Sequence, residues 1–290
     1  MRGLSGFTGA VRLSELSGAG GTRLAVVEAG PPDAPPVVLL HGWAQSARCW
    51  DAQLSDEHLT SRFRIIAADL RGHGSSSVPA DGYDRSASWA GDVAALLTHA
   101  GRDAVLVGWS YGGLVITDYL REHGSQAVAG VAFVGAITEL GRGREGGRTG
   151  AVMRAALPAA LSDDPAVAVP ALHEFIDGMT VLPLPGEIRQ RGLGAALNTS
   201  PAVRHGLFRR DVGSADVLSG LDVPALVLHG LDDRVVDPAA GRYAADLIPG
   251  AATSWYPECG HLPFVEQAER FSAELAEFVE RCQGESGESL

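Results

Sequence analysis

Hydrophobic positions along this 290-residue chain follow two alternating patterns. Short continuous apolar runs are typical of strands buried on both faces, and apolar residues every three or four positions are typical of amphipathic helices. The strand pattern occurs at residues 22–28, 36–40, 63–70, 105–109, 128–134, 224–230 and 251–256. The helical pattern is clearest at residues 87–100 and 111–123. This alternation predicts an α/β fold with a mostly parallel central sheet flanked by helices.

The alternation is interrupted in the middle of the chain, where a loop rich in glycine and arginine precedes helical patterns broken by prolines. Because the strand pattern resumes only near Val223, we predict a helical cap inserted at residues 138–212. The core is then made of residues 1–137 and 213–282. The remaining tail, residues 283–290, is mostly Gly, Ser and Glu and is predicted to be disordered.

The sequence Gly-Trp-Ser-Tyr-Gly at residues 108–112 joins a buried-strand pattern to a helical one. In a turn this tight the central residue adopts a strained backbone, and glycines are needed where strand and helix nearly touch. Gly108 and Gly112 meet that need, so Ser110 is a candidate nucleophile raised clear of its neighbours. The alternative is a glycine-rich turn with an incidental serine.

A serine hydroxyl is a poor nucleophile near neutral pH and needs a base, which in turn needs an orienting acid. The loop after the strand at residues 224–230 offers three acids, Asp232, Asp233 and Asp237. His261 follows the last predicted strand directly after a glycine, with an amphipathic pattern behind it. All these residues stand just past the carboxyl ends of strands, where open α/β sheets place their sites.

Four sequence blocks together resemble the α/β-hydrolase fold family along almost the whole chain. They are residues 40–43 (Leu-His-Gly-Trp), residues 69–76 (Asp-Leu-Arg-Gly-His-Gly-Ser-Ser), residues 108–112 and the segment from 229 to 261. The chain order serine, acid, histidine is also that of this family's triad. Within the family, residues 69–83 resemble the cofactor-free haloperoxidase and small-esterase branch. That branch usually has methionine after the nucleophile, where this chain has Tyr111.

The resemblance implies a role for each site residue. In the family the acid lies three residues after the glycine that ends its strand, which selects Asp233. The oxyanion hole is formed by two backbone N–H groups, which the resemblance assigns to Trp43 and Tyr111. Asp237 precedes a proline and fits a helix N-cap better than a triad acid. The predicted triad is Ser110, Asp233 and His261.

The other eight histidines are expected to have structural or surface roles. In the family, the residue at His41 packs beneath the oxyanion loop, and the residue at His73 belongs to a structural turn. His229 ends a strand and is expected to bond to a backbone group. The remaining five are predicted to lie on the surface: His58, His99, His123, His173 and His205.

Composition limits the classes of partner. The formal net charge is −12 and every basic residue is arginine, which disfavours nucleic acid because that partner needs a clustered basic face. No apolar run approaches about 18 residues and no signal-peptide core follows Met1, so we predict a cytoplasmic protein without a membrane partner. Three cysteines are too few for a disulfide framework. Cys259 and His261 lack a second ligand pair at zinc spacing, so neither metal nor organic cofactor is predicted.

These residues together predict two-step acyl transfer on a small-molecule substrate, a carboxylic ester, thioester or lactone. Met153, Phe175, Met179 and Phe208 are candidates to line the pocket, although apolar cap residues more often form the cap's own core. Three alternatives stay open. In the first, a perhydrolase or acyltransferase uses peroxide, an alcohol or an amine as the acyl acceptor instead of water. In the second, the same triad hydrolyses a carbon–carbon bond. In the third, the fold is a non-catalytic binding module. The oligomeric state is left open.

Overall fold

The computed structural model of the protein describes the backbone of residues 11–287 and the side chains up to residue 284. Eight strands in this part of the chain form one sheet. They are β1 (Arg12–Ser17), β2 (Arg23–Ala29), β3 (Pro36–Leu40), β4 (Arg64–Ala68), β5 (Ala104–Trp109), β6 (Val128–Val134), β7 (Ala225–Gly230) and β8 (Ala252–Tyr256).

The sheet has the strand order β1-β2-β4-β3-β5-β6-β7-β8. The two pairs that involve β2 are antiparallel, and every other neighbouring pair is parallel, so the predicted mostly parallel sheet is confirmed. Every residue of β3, β5, β6 and β7 is buried, which explains why these strands are continuous apolar runs in the sequence. The carboxyl ends of these four strands meet at one edge of the sheet.

The helices lie between and beyond the strands. They are α1 (Asp51–Leu54), α2 (Glu57–Thr60), α3 (Ser86–Ala100), α4 (Tyr111–His123), α5 (Ala151–Ala160), α6 (Pro165–Asp177), α7 (Gly186–Asn198), α8 (Pro201–Gly206), α9 (Ala215–Ser219), α10 (Pro238–Leu247), α11 (Pro263–Glu266) and α12 (Ala268–Gly287). Helices α4, α10 and α12 pack against β5, β7 and β6 respectively. Helices α5 to α8 lie between β6 and β7, inside the segment predicted as a cap. No helix of the described residues is long and apolar enough to cross a membrane.

Strand β1 is absent from the sequence prediction, which begins the sheet at residue 22. It pairs antiparallel with β2 at the edge of the sheet. Leu13 is 79% exposed, whereas Leu16 packs against the core from the other face. Because these two leucines lie on opposite faces of the strand, the segment lacks the alternation of apolar and polar residues that predicts a half-buried strand.

Residues 283–287, which the sequence analysis places in a disordered tail, continue α12. The segment contains Gly284 and Gly287, which disfavour a helix, but a helix that has already begun extends at little cost per added residue. Residues 288–290 lie outside the described residues, as do residues 1–10 of the predicted core.

The surface prediction for the five remaining histidines holds except at His99. The side chain of His99 is only 23% exposed, and its ring lies 2.7 Å from a carboxylate oxygen of Glu28. Arg64 contacts the same carboxylate at 2.7 Å. A helical residue near the sheet edge is drawn inward here because Glu28 is buried on β2 and needs partners.

Candidate active site

The turn between β5 and α4 has the strained geometry that its sequence predicts. Ser110 has φ of 55° and ψ of −118°, an unfavourable backbone conformation for a residue with a side chain. A Cβ added at Gly108 would lie 2.6 Å from the backbone of Gly112, and one added at Gly112 would lie 2.4 Å from the carbonyl oxygen of Leu40. Glycine is therefore required at both positions. The N–H of Ser110 donates to the carbonyl of Val134 at 3.0 Å, which fixes the turn against β6.

Asp233 lies in the loop after β7 with both carboxylate oxygens occupied. Oδ1 accepts the backbone N–H groups of Val235 and Val236 at 2.8 and 3.0 Å. Oδ2 lies 2.7 Å from Nδ1 of His261 and 3.1 Å from Nε2 of His229. Burial by itself would raise the pKa of Asp233, but the charge of His261 and the hydrogen bonds from both histidines outweigh it and hold the pKa well below its usual range. The carboxylate is therefore ionised and fully bonded.

The two rival acids of this loop are placed elsewhere. Asp232 is exposed, and its backbone N–H donates to the carbonyl of Cys259 at 3.0 Å. Asp237 accepts the N–H of Ala239 at 3.0 Å and caps α10, which confirms the N-cap prediction. A Cβ added at Gly230 would lie 1.9 Å from the carbonyl oxygen of Gly260, so only glycine lets the loops after β7 and β8 approach this closely.

His261 is held at three points in the loop after β8. Its N–H donates to the carbonyl of Met179 at 2.6 Å, and its carbonyl accepts the indole N–H of Trp109 at 2.9 Å. Its Nδ1 donates to Asp233, so the lone pair of the neutral ring lies on Nε2. Within the described residues Nε2 makes no hydrogen bond, and both His261 and Ser110 line one pocket. This arrangement puts a base and a hydroxyl at the same cavity.

The loop after β3 passes directly over Ser110. A Cβ added at Gly42 would lie 2.9 Å from Cβ of Ser110, so this glycine permits the close approach. The next residue is Trp43, and Tyr111 begins α4 directly after Ser110. Neither the N–H of Trp43 nor that of Tyr111 donates to another group in the described part of the chain. Both donors are therefore available to a ligand.

The pocket that contains Ser110 and His261 has a volume of about 470 Å³ including its open mouth. Its apolar wall includes all four side chains proposed from the sequence: Met153, Phe175, Met179 and Phe208. The indole ring of Trp43 packs edge-on against Phe175 at 5.3 Å and lies 5.7 Å from Phe208. Trp43 thus forms pocket wall and core at once, and the cavity suits a small apolar group.

Two buried histidines support the loop after β3: His41, as the resemblance implies, and also His73. Nε2 of His41 accepts the N–H of Leu70 at 3.0 Å, and its Nδ1 donates to the carbonyl of Gly42 at 2.8 Å. Nε2 of His73 accepts the N–H of Ala44 at 3.2 Å. Burial lowers the pKa of His41 to about 4, and burial followed by the nearby His41 lowers the pKa of His73 to about 3. Both rings are therefore neutral supports rather than proton carriers.

This support predicts an acid-sensitive fold. An unfolded histidine has a pKa near 6.5, so between that pH and about 3 the unfolded chain binds a proton at His73 that the folded chain does not. Stability from this residue is complete above pH 6.5 and falls by about 2 kcal/mol between pH 6.5 and pH 5. Urea unfolding at both pH values measures the loss. His73→Gln keeps an acceptor that does not titrate, so its loss of unfolding free energy between pH 6.5 and pH 5 should be about 2 kcal/mol smaller than that of the wild type. An equal loss in both proteins would contradict the assignment of His73 as a neutral support.

Two sets of contacts around the site are missing from the sequence prediction. His229 bonds to a backbone carbonyl as expected, but it also contacts Asp233. The hydroxyl of Tyr111 accepts from Arg210, which also donates to both carboxylate oxygens of buried Asp118 at 2.6 and 2.8 Å. That ion pair connects the end of the cap segment to α4, the helix that follows Ser110. Partners 92 residues apart leave no local signal in a sequence.

Metal ligands are not assembled at this site. The thiol of Cys259 contacts the carboxylate of Glu266 at 3.7 Å, and His261 is committed to Asp233. Among the described residues no group of three His, Cys, Asp or Glu side chains could hold a metal ion.

Comparison with known proteins identifies the family of this chain. The family model described as alpha/beta hydrolase fold matches residues 35–268. A non-heme haloperoxidase from Rhodococcus erythropolis is 32% identical over 84% of this chain and 92% of its own length. A bifunctional esterase/perhydrolase from Acinetobacter calcoaceticus is 30% identical over 86% of this chain and 93% of its own length. The predicted resemblance to the haloperoxidase and esterase branch is confirmed.

Solved structures agree with this grouping. The esterase RhEst1 from Rhodococcus sp. ECU1013 superposes with a TM-score of 0.89 at 48% identity, covering 92% of this chain and 98% of that one. A putative aryl esterase from Burkholderia cenocepacia gives a TM-score of 0.88 at 31% identity, covering 94% of this chain and all of that one. The sheet order, the serine turn and the sequence matches lead to one conclusion. The chain belongs to the α/β-hydrolase fold family.

Proposed function

We propose that the protein is a serine hydrolase that cleaves small carboxylic esters, thioesters or lactones through an acyl-enzyme. The observation that carries the proposal is the placement of a strained serine and a carboxylate-bound histidine at one apolar pocket, with two unused backbone N–H groups beside it. The relatives named esterases support the substrate class. Small acyl compounds are the expected partners.

The mechanism assigns one task to each group. Nε2 of His261 takes the proton of Ser110 as the serine oxygen attacks the carbonyl carbon, and Asp233 holds the imidazole in the tautomer with its proton on Nδ1. The N–H groups of Trp43 and Tyr111 bind the oxyanion of the tetrahedral intermediate. His261 then gives its proton to the leaving group. Water, deprotonated by the same ring, releases the acyl group and restores the serine.

The cap also belongs to this proposal. Leu140 and Val212 exchange backbone hydrogen bonds at 2.9 and 2.7 Å, which closes the base of the segment between β6 and β7. That closure supports cap boundaries at residues 138–212, with residues 1–137 and 213–282 as the core. Four aromatic and sulfur side chains of the cap segment line the pocket, so the cap is expected to limit the size of the acyl group: Met153, Phe175, Met179 and Phe208.

A rapid-mixing experiment tests the acyl-enzyme directly. Nitrophenyl esters of increasing acyl length should give a burst of nitrophenolate equal to the enzyme concentration, followed by slower turnover. Rates should fall as the acyl chain outgrows the pocket. Intact mass spectrometry of a phosphonate-treated sample should show one adduct, mapped by peptide analysis to Ser110. The absence of both the burst and the adduct would contradict the proposal.

Perhydrolysis is the second candidate, because relatives are named haloperoxidases and esterase/perhydrolase. If peroxide replaces water as the acyl acceptor, the same acyl-enzyme releases a peracid, which oxidises bromide in solution. Acetate, peroxide and bromide supplied together then support bromination without added metal. Bromination that requires Ser110 would favour this activity, and its absence alongside ester cleavage would leave hydrolysis as the function.

A further inference from the structure

His229 of β7 contacts the predicted triad from behind. Its ring is fully buried, and its Nε2 lies 3.1 Å from Oδ2 of Asp233 and 3.2 Å from the carbonyl oxygen of Val236. Both of these atoms are acceptors, so Nε2 carries the proton and shares this single N–H between the carbonyl of Val236 and Oδ2. Nδ1 is buried and has no hydrogen-bond partner among the described residues, as expected for the unprotonated nitrogen of this tautomer.

A glycine in α10 makes room for this ring. A Cβ added at Gly241 would lie 2.5 Å from Nδ1 of His229. Glycine inside a helix lowers helix stability by about 1 kcal/mol relative to alanine. In α10 the glycine occurs at the position where the ring of His229 packs against the helix. The imidazole is thus enclosed between α10 and the Asp233 loop, and it has no space to turn away from the carboxylate.

The second imidazole completes the set of donors around the carboxylate. Asp233 offers about four acceptor positions, and two backbone N–H groups, His261 and His229 fill them. With His229 in place, Oδ2 is held toward His261 and its negative charge is shared between two N–H donors. We propose that His229 is a positioning residue that fixes the orientation and charge of Asp233 for the proposed triad. The inference rests on the proposed function.

The charged environment of Asp233 supports this role. Three titratable side chains of the described residues face the carboxylate: His229 from β7, and His261 and Cys259 from the loop after β8. Burial, followed by the negative charge of Glu266, raises the pKa of the Cys259 thiol, so this group stays neutral. Only the two imidazoles therefore adjust the charge that Asp233 presents.

Two variants of matched length separate donation from packing. His229→Gln keeps an N–H donor at the end of an unbranched chain, and His229→Met has the same length without the donor. We expect His229→Met to lower kcat by about tenfold or more, by analogy with the loss of the groups that orient metal-binding side chains, with KM within about twofold. His229 does not line the pocket, so substrate binding is unaffected. His229→Gln should recover most of kcat.

The pH profile gives a second readout that packing alone does not move. Without the His229 donor, Asp233 keeps more negative charge on Oδ2 and stabilises the protonated form of His261 more strongly. The acid limb of kcat should therefore move to higher pH in His229→Met and stay near its original position in His229→Gln. Urea unfolding of both variants checks that the fold is retained.

Clear outcomes overturn the inference. The positioning role is excluded if the wild type is active and His229→Met has the same kcat and pH profile as the wild type. It is also excluded if His229→Gln folds but is as impaired as His229→Met. If His229→Met does not fold, Gly241→Ala displaces the ring while keeping the histidine, and it must show the same kcat loss and acid-limb shift. A wild type with neither a burst nor a phosphonate adduct at Ser110 would instead refute the proposed function itself.

Discussion

Ser110→Ala and His261→Ala are each expected to abolish ester turnover while the fold remains intact. Loss of either residue removes the nucleophile or its base, and in a well-studied serine hydrolase each such loss costs about 10⁶ in kcat. The double variant should lose little more, because the two groups act as one unit. Steady-state rates on a nitrophenyl ester, with urea unfolding as a check of stability, measure these effects.

Matched substitutions outside the site provide the controls. Ser75 is an exposed serine, and His123 is an exposed histidine at the carboxyl end of α4. Ser75→Ala and His123→Ala should keep wild-type kcat. If Ser110→Ala kept activity comparable to the wild type, this serine would not be the nucleophile. If the double variant lost as much kcat as the two single losses multiplied, the serine and the histidine would not act as one unit.

The elements around Ser110 could be predicted from the sequence because the residues that determine them lie close together along the chain. Helix α4 and strand β6 have the bounds predicted from apolar spacing, because each is a run whose burial is uniform or periodic. The turn at Ser110 is set by Gly108 and Gly112, both within two positions. A short motif flanked by a strand and a helix therefore contains most of the information about its own backbone.

Contacts that depend on packing between distant elements could not be predicted in the same way. The contact of His229 with Asp233 requires a glycine of α10 at the right place behind the ring. The anchoring of Tyr111 by Arg210 joins α4 to the end of the cap segment. Neither contact changes the apolar period of its own segment, so pattern analysis is insensitive to both. The triad and oxyanion roles themselves stay predictions until they are tested by activity.

Asp233→Asn is expected to lower kcat by about 10⁴, the loss measured for the same change in the best-studied triad. The structure supplies the reason in this chain. Oδ1 accepts two backbone N–H groups, from Val235 and Val236, so the oxygen of an asparagine amide is kept at that position. The NH₂ group then takes the place of Oδ2 and faces Nδ1 of His261. Two donors cannot meet, so the imidazole proton moves to Nε2 and the base at Ser110 is lost.

Asp232→Asn is the matched control for this change. Asp232 is the adjacent residue, carries the same charge and is exposed, so its amide variant should keep kcat within about twofold, the small effect usual for surface substitutions. The comparison uses one substrate, one pH and protein whose urea unfolding is unchanged. If Asp232→Asn proves the more damaging variant, the acid of the triad lies one residue earlier than its contacts indicate. If both variants keep full activity, an acid from another loop must orient His261, and the hydrogen bond of Asp233 to Nδ1 would have no catalytic part.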